Sequence, residues 1–262
     1  MIRLDKYISE NLPCTRSEAK KYIGFGRVSV DGKIIRDPDT KIDEKSVKVF
    51  YKDRELLHIN GLYFMLNKPS GVISATEDKN HRTVLELFPA EYRKKLFPVG
   101  RLDLDTEGLL LVTDDGDFCH RIESPKKKMF KTYYIRAVGM LLDNAPELFE
   151  KGMILSDFTA KPAFLEILSE KSCYDGENGS KNVNKLQEND SFDKNHLKEY
   201  ELIVRITEGK FHQVKRMVHE AGCEVRYLKR IAIGELKLDE SLAPGEYRSL
   251  SEEELAILNT RV

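Results

Sequence analysis

A chain of 262 residues suffices for one large domain plus a small one, and it can bury a core without disulfide or metal staples. With 43 Lys and Arg against 44 Asp and Glu, the formal net charge of -1 excludes an all-over basic coat, so affinity for nucleic acid has to come from local patches. No run is apolar and long enough to span a bilayer, and the start MIRLDKYISENL lacks a signal peptide's apolar centre, so the expected location is the cytoplasm, away from membranes.

From Arg3 to Leu12, apolar Leu4, Tyr7, Ile8 and Leu12 recur at helical spacing, and Pro13 ends this first helix. Thr15 with Glu18 forms a capping-box pattern that opens a second helix through Ala19, Tyr22 and Ile23, stopped by Gly24 and Gly26. Asp31-Gly32 between VSV and KII signals a hairpin. Up to Arg36 there are eight basic and four acidic residues, which makes this small unit locally basic. Ser46 to Phe50 reads as its last strand, and 51–60 as a charged linker. The expected division is therefore a domain over 1–50 and a second over 61–262.

In the second domain LYFML reads as a strand, Lys68, Pro69 and Gly71 as a rigid turn, and Thr83 to Phe88 as a short helix closed by Pro89. The stretch GRLDLDTEGLLLVTDDGDF, Gly100 to Phe118, is the one around which this domain is organised. Leu109 to Val112 is an uninterrupted apolar run with polar residues at both ends, the pattern of a buried strand. Asp103, Asp105 and Glu107 then sit where a loop meets a sheet, and Asp114, Asp115 and Asp117 close the strand around Gly116. A strand edge holds a carboxylate rigidly yet open to a cleft, as acid, base or nucleophilic work requires. A calcium loop is disfavoured, because Pro98 and Gly100 prevent the entering helix and Leu111 falls at a ligand position.

Downstream, Lys126, Lys127 and Lys128 form a basic run, and Lys131 is one residue removed from Tyr133. Tyr134 is expected in the core. Asn144 to Met153 reads as a helix with Pro146 in its first turn. The polar segment 170–197 cannot bury enough surface to offset its ordering entropy and reads as a mobile insertion. YELIVRI alternates as a strand. EGKFHQVKRMVHEAG reads as a helix with Phe211, Val214, Met217, Val218 and Ala221 on one face, and His212, Lys215, Arg216 and His219 on the other. VRYLKRIAIGELKL supplies closing strands with Arg226, Lys229 and Arg230 as candidate nucleic-acid contacts, and SEEELAIL a final capped helix. Cys14, Cys119, Cys173 and Cys223 have no close pair, and His212, His219 and Cys223 lack a fourth zinc ligand, so reduced thiols and no metal are expected.

Several of these stretches resemble known families. GRLDLDTEGLLLVTDDGDF resembles the catalytic motif of the RsuA family of pseudouridine synthases, which implies that Asp103 is the catalytic aspartate. RLDKYIS, TRSEAKKYI and GRVSVDGKIIRDPDTKI, in that order, resemble the alpha-L RNA-binding module first seen in a small-subunit ribosomal protein. That resemblance implies that Arg3, Arg16, Ser17, Lys20 and Arg27 face RNA phosphates. EGKFHQVKRM resembles the last motif of the RsuA family, in which the basic residue after Gln-Val pairs with the aspartate. Here that residue is Lys215, where many relatives carry arginine. Tyr133 matches the tyrosine of a Lys-x-Tyr pattern that lies against the target uracil.

The resemblance implies an α+β fold, with a small alpha-L domain before a catalytic domain built on a mixed, mainly antiparallel sheet flanked by helices. It implies isomerisation of a uridine in ribosomal RNA without cofactor or metal. HRIESPKKKMFKTYY is closer to the small-subunit enzymes, and a monomer is expected. The chemistry needs a carboxylate near the sugar, a cation beside it, an aromatic face for the loose base, and exclusion of water. Asp103, Lys215 and Tyr133 supply the first three. Arg101, two residues from Asp103, is the candidate to take the place of the flipped base. Lys131 and Arg216 are further candidate RNA contacts. A large-subunit target, a non-catalytic ribosome-assembly factor and a carboxylate-pair hydrolase are the competing readings.

Overall fold

The computed structural model describes residues 1–12, 14–43, 46–52, 54–56, 61–124, 129–173 and 197–259. It divides into two units, Met1–Gly61 and Leu62–Val262. The first runs β1 (Ile2–Arg3), α1 (Leu4–Asn11), α2 (Arg16–Gly24), β2 (Val28–Val30), β3 (Lys33–Ile35), β4 (Lys41–Ile42), β5 (Val49–Tyr51) and β6 (Arg54–Leu56). The Thr15–Glu18 capping box is formed at the start of α2. Asp31 and Gly32 take φ of +47° and +78°, the double left-handed turn that an Asp-Gly pair tolerates, and join β2 to β3. The sheet order is β3-β2-β5-β6, and Leu4, Tyr7, Ile8, Ala19, Ile23 and Val28 are buried in the unit's own core. Part of the expected linker 51–60 belongs to this sheet: Tyr51 ends β5, and β6 is the fourth strand, with the Leu56 carbonyl accepting from the Tyr7 hydroxyl at 2.9 Å. A three-residue charged strand is too short to announce itself by alternation.

The second unit runs β7 (Tyr63–Lys68), a 3-10 turn (Val84–Leu87), α3 (Ala90–Arg93), β8 (Phe97–Val99), β9 (Glu107–Thr113), α4 (Gly116–Glu123), β10 (Lys131–Gly139), α5 (Ala145–Lys151), β11 (Phe164–Ser172), β12 (Lys198–Ile206), α6 (Gln213–Glu220), β13 (Cys223–Ile233), β14 (Leu236–Lys237), β15 (Tyr247–Ser249) and α7 (Glu252–Asn259). The strands form one sheet in the order β11-β12-β10-β13-β9-β7-β15, with β8 on β9 and β14 on β13. Its named pairs are antiparallel except β13 with β9. Leu109 and Leu111 pack with Phe118 and Ile122 of α4 in one core, whereas Leu110 and Val112 pack with Phe149 of α5 and Met217 of α6 in the other. Burial on both faces is why β9 reads as a continuous apolar run.

The structure corrects several expectations. The carboxylate cluster after β9 is the start of a helix that the sequence does not announce: Asp115 caps α4 by accepting from the Phe118 N–H at 3.0 Å, and Asp117 lies in its first turn. Gly116 at the helix start suggests only a turn. Tyr134 is half-buried on the sheet face opposite Tyr133, its ring set edge-on to Tyr227 at 6.2 Å. Strand alternation forbids both tyrosines from sharing one core face. The segment expected as an insertion over 170–197 contributes its first residues to a hairpin, in which Ser172 pairs with Lys198. The rest of it, and Lys126, Lys127 and Lys128, lie outside the described residues. Arg230 is 2% exposed and donates from Nε to the Leu109 carbonyl at 2.7 Å, so it is a sheet-interior group and not an RNA contact.

Candidate active site

Asp103 lies in the loop from β8 to β9, and the backbone on either side of it is pinned. Gly100 turns the chain with φ +74°. Ser74 Oγ accepts from the Leu102 N–H at 3.0 Å and donates to the Leu102 carbonyl at 3.1 Å. The buried ammonium of Lys68 donates to the carbonyls of Pro69 (3.0 Å), Leu104 (3.2 Å) and Thr106 (2.8 Å), and the Gly71 N–H also donates to Leu104 (2.9 Å). Three donors meet three carbonyls, two of which bracket Asp105. Burial pushes the Lys68 ammonium down to about 8, opposed by the charges of Asp105, Asp103 and Glu107. Lys68 and Ser74 are the site-building residues that sequence reasoning missed. The turn Lys68-Pro69-x-Gly71 is visible in the sequence, but nothing local shows that its lysine faces the loop around Asp103.

The Asp103 carboxylate is 27% exposed, with Oδ2 3.7 Å from Lys215 Nζ and Oδ1 3.8 Å from His212 Nε2. Lys215 makes its short contact elsewhere, donating to Asp105 Oδ1 at 2.5 Å. The expected pair is thus a triad in which one ammonium serves two carboxylates. For Asp105, burial pushes the pKa up, but the hydrogen bond and charge of Lys215 prevail and hold it below the usual carboxylate range. Arg101, Leu102, Asp103, Tyr133, His212 and Leu228 line one cleft, and Tyr133 is 6% exposed beneath it. Tyr133 is held there by the inward face of β10, which also carries Ile135 and Ala137. A second groove, along α6, is lined by His212, Lys215, Arg216 and His219.

The expected helix over EGKFHQVKRMVHEAG begins later than its apolar spacing suggests. His212 takes a left-handed backbone, φ +49°, and α6 starts at Gln213. Buried Gln213 fixes this break, accepting from the Lys210 N–H at 3.0 Å and donating to Glu208 at 2.8 Å. Val214, Met217 and Val218 do face the core, but Phe211 is 75% exposed and does not.

The remaining candidate residues lie farther from Asp103 or have partners of their own. Lys131, two residues before Tyr133 on β10, is half-buried, and burial followed by the charge of Arg230 lowers its pKa. Arg216 is engaged by Asp157 and by Ser156 Oγ (2.9 Å), with its guanidinium over the Phe158 ring, so it secures that turn rather than entering the cleft. In the first unit, Arg3 and Arg16 both hydrogen-bond the fully buried Asp5 carboxylate, with Lys20 at 3.9 Å. Burial pushes Asp5 up, but the two guanidinium hydrogen bonds override it and hold it far below the carboxylate range. Arg27 lies over the exposed Phe25 ring at 5.7 Å.

A carboxylate on a pinned loop, faced by a lysine and a histidine above a buried tyrosine, can stabilise or attack an electron-poor carbon. Comparison with known proteins gives this geometry its context. The RNA pseudouridylate synthase family profile matches residues 62–220, and an S4 domain matches residues 2–47. An uncharacterized RNA pseudouridine synthase of Bacillus subtilis (strain 168) is 39% identical over 260 residues, covering 98% of both chains. The ribosomal small subunit pseudouridine synthase A of Escherichia coli (strain K12) is 39% identical over 259 residues, covering 97% of this chain and 99% of that one. A crystal structure of a pseudouridylate synthase superposes with a TM-score of 0.62 at 36% identity, covering 98% of this chain and 100% of the other. The chain that places Asp103 in this cleft, and that carries an S4 domain earlier in its sequence, therefore belongs to the RNA pseudouridylate synthase family.

Proposed function

We propose that this protein converts a uridine of small-subunit ribosomal RNA to pseudouridine at the cleft around Asp103. The observation that carries the assignment of the site is the Asp103 carboxylate, held between Lys215 and His212 above buried Tyr133. The choice of RNA is supported by the near full-length similarity to the small-subunit enzyme of Escherichia coli.

In the reaction the N1–C1′ bond of the target uridine breaks, the uracil turns, and a C5–C1′ bond forms. The C5 proton is then lost and N1 gains one. Reactant and product are isomers, so the residues need only supply charge, orientation and shelter. Asp103 faces the positive character that develops at the sugar when the base leaves. Lys215 balances the two carboxylates that the loop brings together. Tyr133 offers the loose uracil a flat surface. Arg101, at the cleft and exposed, is suited to fill the gap that the flipped base leaves in the RNA. Lys131 and the cations of the first unit are assigned to phosphates.

Carbodiimide mapping of pseudouridines in rRNA from cells with and without the gene tests this. One small-subunit site should disappear with the gene. A missing site in large-subunit rRNA would move the target, and an unchanged map would sink the proposal.

A further inference from the structure

Phe211 lies between Lys210 and His212 of the cleft lining and has no place in either core. It is 75% exposed, although the apolar spacing of its segment would put it on the buried face of α6. What turns it outward is His212, which holds a left-handed backbone conformation that non-glycine residues rarely adopt. The product of that turn is specific. The phenyl ring lies flat on the imidazole, with centroids 3.8 Å apart and planes inclined by 17°. The same imidazole reaches to 3.8 Å from Asp103 Oδ1. One face of Phe211 is thus backed by a group of the catalytic cleft, and the other is open to solvent. Two cations line the adjoining cleft with His212: exposed Arg101, and Lys210, whose ammonium lies 4.5 Å from the Phe158 ring centroid.

We propose that Phe211 is a stacking platform for an unpaired RNA base next to the target uridine. The proposal rests on the reading of the protein as an enzyme of ribosomal RNA. A flat aromatic face next to a cleft that carries Arg101 and Lys210 suits a ligand that offers flat faces and a phosphate on either side. When the target uridine leaves its stack to reach Asp103, its neighbour loses a stacking partner. An exposed phenyl ring beside the cleft offers that neighbour another stacking surface without reading the base's edge, apart from the gap assigned to Arg101. His212 backs the ring from below, which ties the position of the neighbouring base to that of the carboxylate.

The chain contains no tryptophan, so Phe211→Trp provides a single fluorescent reporter in the full-length protein. With an unmodified small-subunit rRNA transcript as the probe, its emission should be quenched on binding. Phe211→Ala and Phe211→Leu should each weaken binding by about 5- to 100-fold, the usual cost of removing one base–aromatic stack. Circular dichroism checks their folding. Unquenched emission in the bound complex, or Phe211→Leu binding as tightly as the wild type, would overturn the platform while leaving the enzyme assignment intact. If the wild type converts only a large-subunit transcript, the target assignment fails and the same comparison on that RNA decides the platform. A wild type that binds neither RNA overturns both.

Discussion

Lys215 is shared unequally at the centre of the site, closer to Asp105 than to Asp103, and this sets what substitution should do. Asp103→Asn keeps volume and removes charge, so single-turnover conversion of uridine in a saturating rRNA fragment should fall by at least about a thousandfold, with circular dichroism unchanged. Lys215→Met should lose nearly as much, because two carboxylates are then left facing each other without their cation. Lys215→Arg should retain most activity. The two losses should not add, since both dismantle one cluster. A folded Asp103→Asn protein that still forms pseudouridine would remove Asp103 from the mechanism. Lys68 offers a pH test at the same scale. Its protonated amine supplies three donors to three carbonyls, and its neutral form has only two, so conversion should decline as pH rises through about 8. Stability should move the other way. The folded-state pKa is depressed from 10.5 to about 8, so between those values the unfolded chain holds the extra proton and this group favours folding more as pH rises. Lys68→Met, which cannot titrate, should lack both trends, and a wild-type alkaline limb that persists in Lys68→Met would assign it to another group.

At the scale of elements, the catalytic loop ends where β9 meets β13, and Gly108 is the tight point of that crossing. It takes φ +99°, and a methyl group there would come within 2.2 Å of the Arg230 carbonyl. Gly108→Ala should therefore cost roughly 3 kcal/mol or more and lower the melting temperature by about 6–12 °C. A variant melting within a degree or two of the wild type would mean that the strands separate there without strain. The β11–β12 hairpin makes the opposite prediction. It closes at Cys173, whose N–H donates to the Leu197 carbonyl at 3.0 Å, so replacing 174–196 by a short turn should change neither melting nor conversion. A loss of either would give that segment a role. Elements with one long apolar period are legible in the sequence, and its motifs single out Asp103, Lys215 and Tyr133, which the fold brings near one another. What escapes has a physical reason. α4 begins on a glycine behind a run of aspartates, α6 is cut short by one left-handed residue, and Lys68 and Ser74 act on the loop from distant positions in the chain.

For the whole molecule, the boundary falls later than composition suggests, because β6 extends the first unit's sheet into the charged segment after Tyr51. Among the described residues, the two cores of the second unit are built from Leu62 onward. Removal of residues 1–61 should therefore leave a folded catalytic unit, checked by circular dichroism and a cooperative melt. Its RNA affinity should be weaker, and the dependence of affinity on salt shallower. The charges set the size of that change. Arg3, Arg16, Lys20 and Arg27 are the candidate phosphate contacts, and each contact to single-stranded RNA contributes about 0.7 to the slope of log affinity against log salt. Four full contacts would remove about 3 from the slope. Asp5, however, is buried beneath three of these cations and hydrogen-bonded to Arg3 and Arg16, so it offsets part of their charge toward a ligand. The expected decrease is therefore nearer to about 2, read from filter binding of one rRNA transcript across a salt series. If the truncated protein keeps the full-length affinity and slope, the first unit does not hold the substrate, and its basic face needs another explanation.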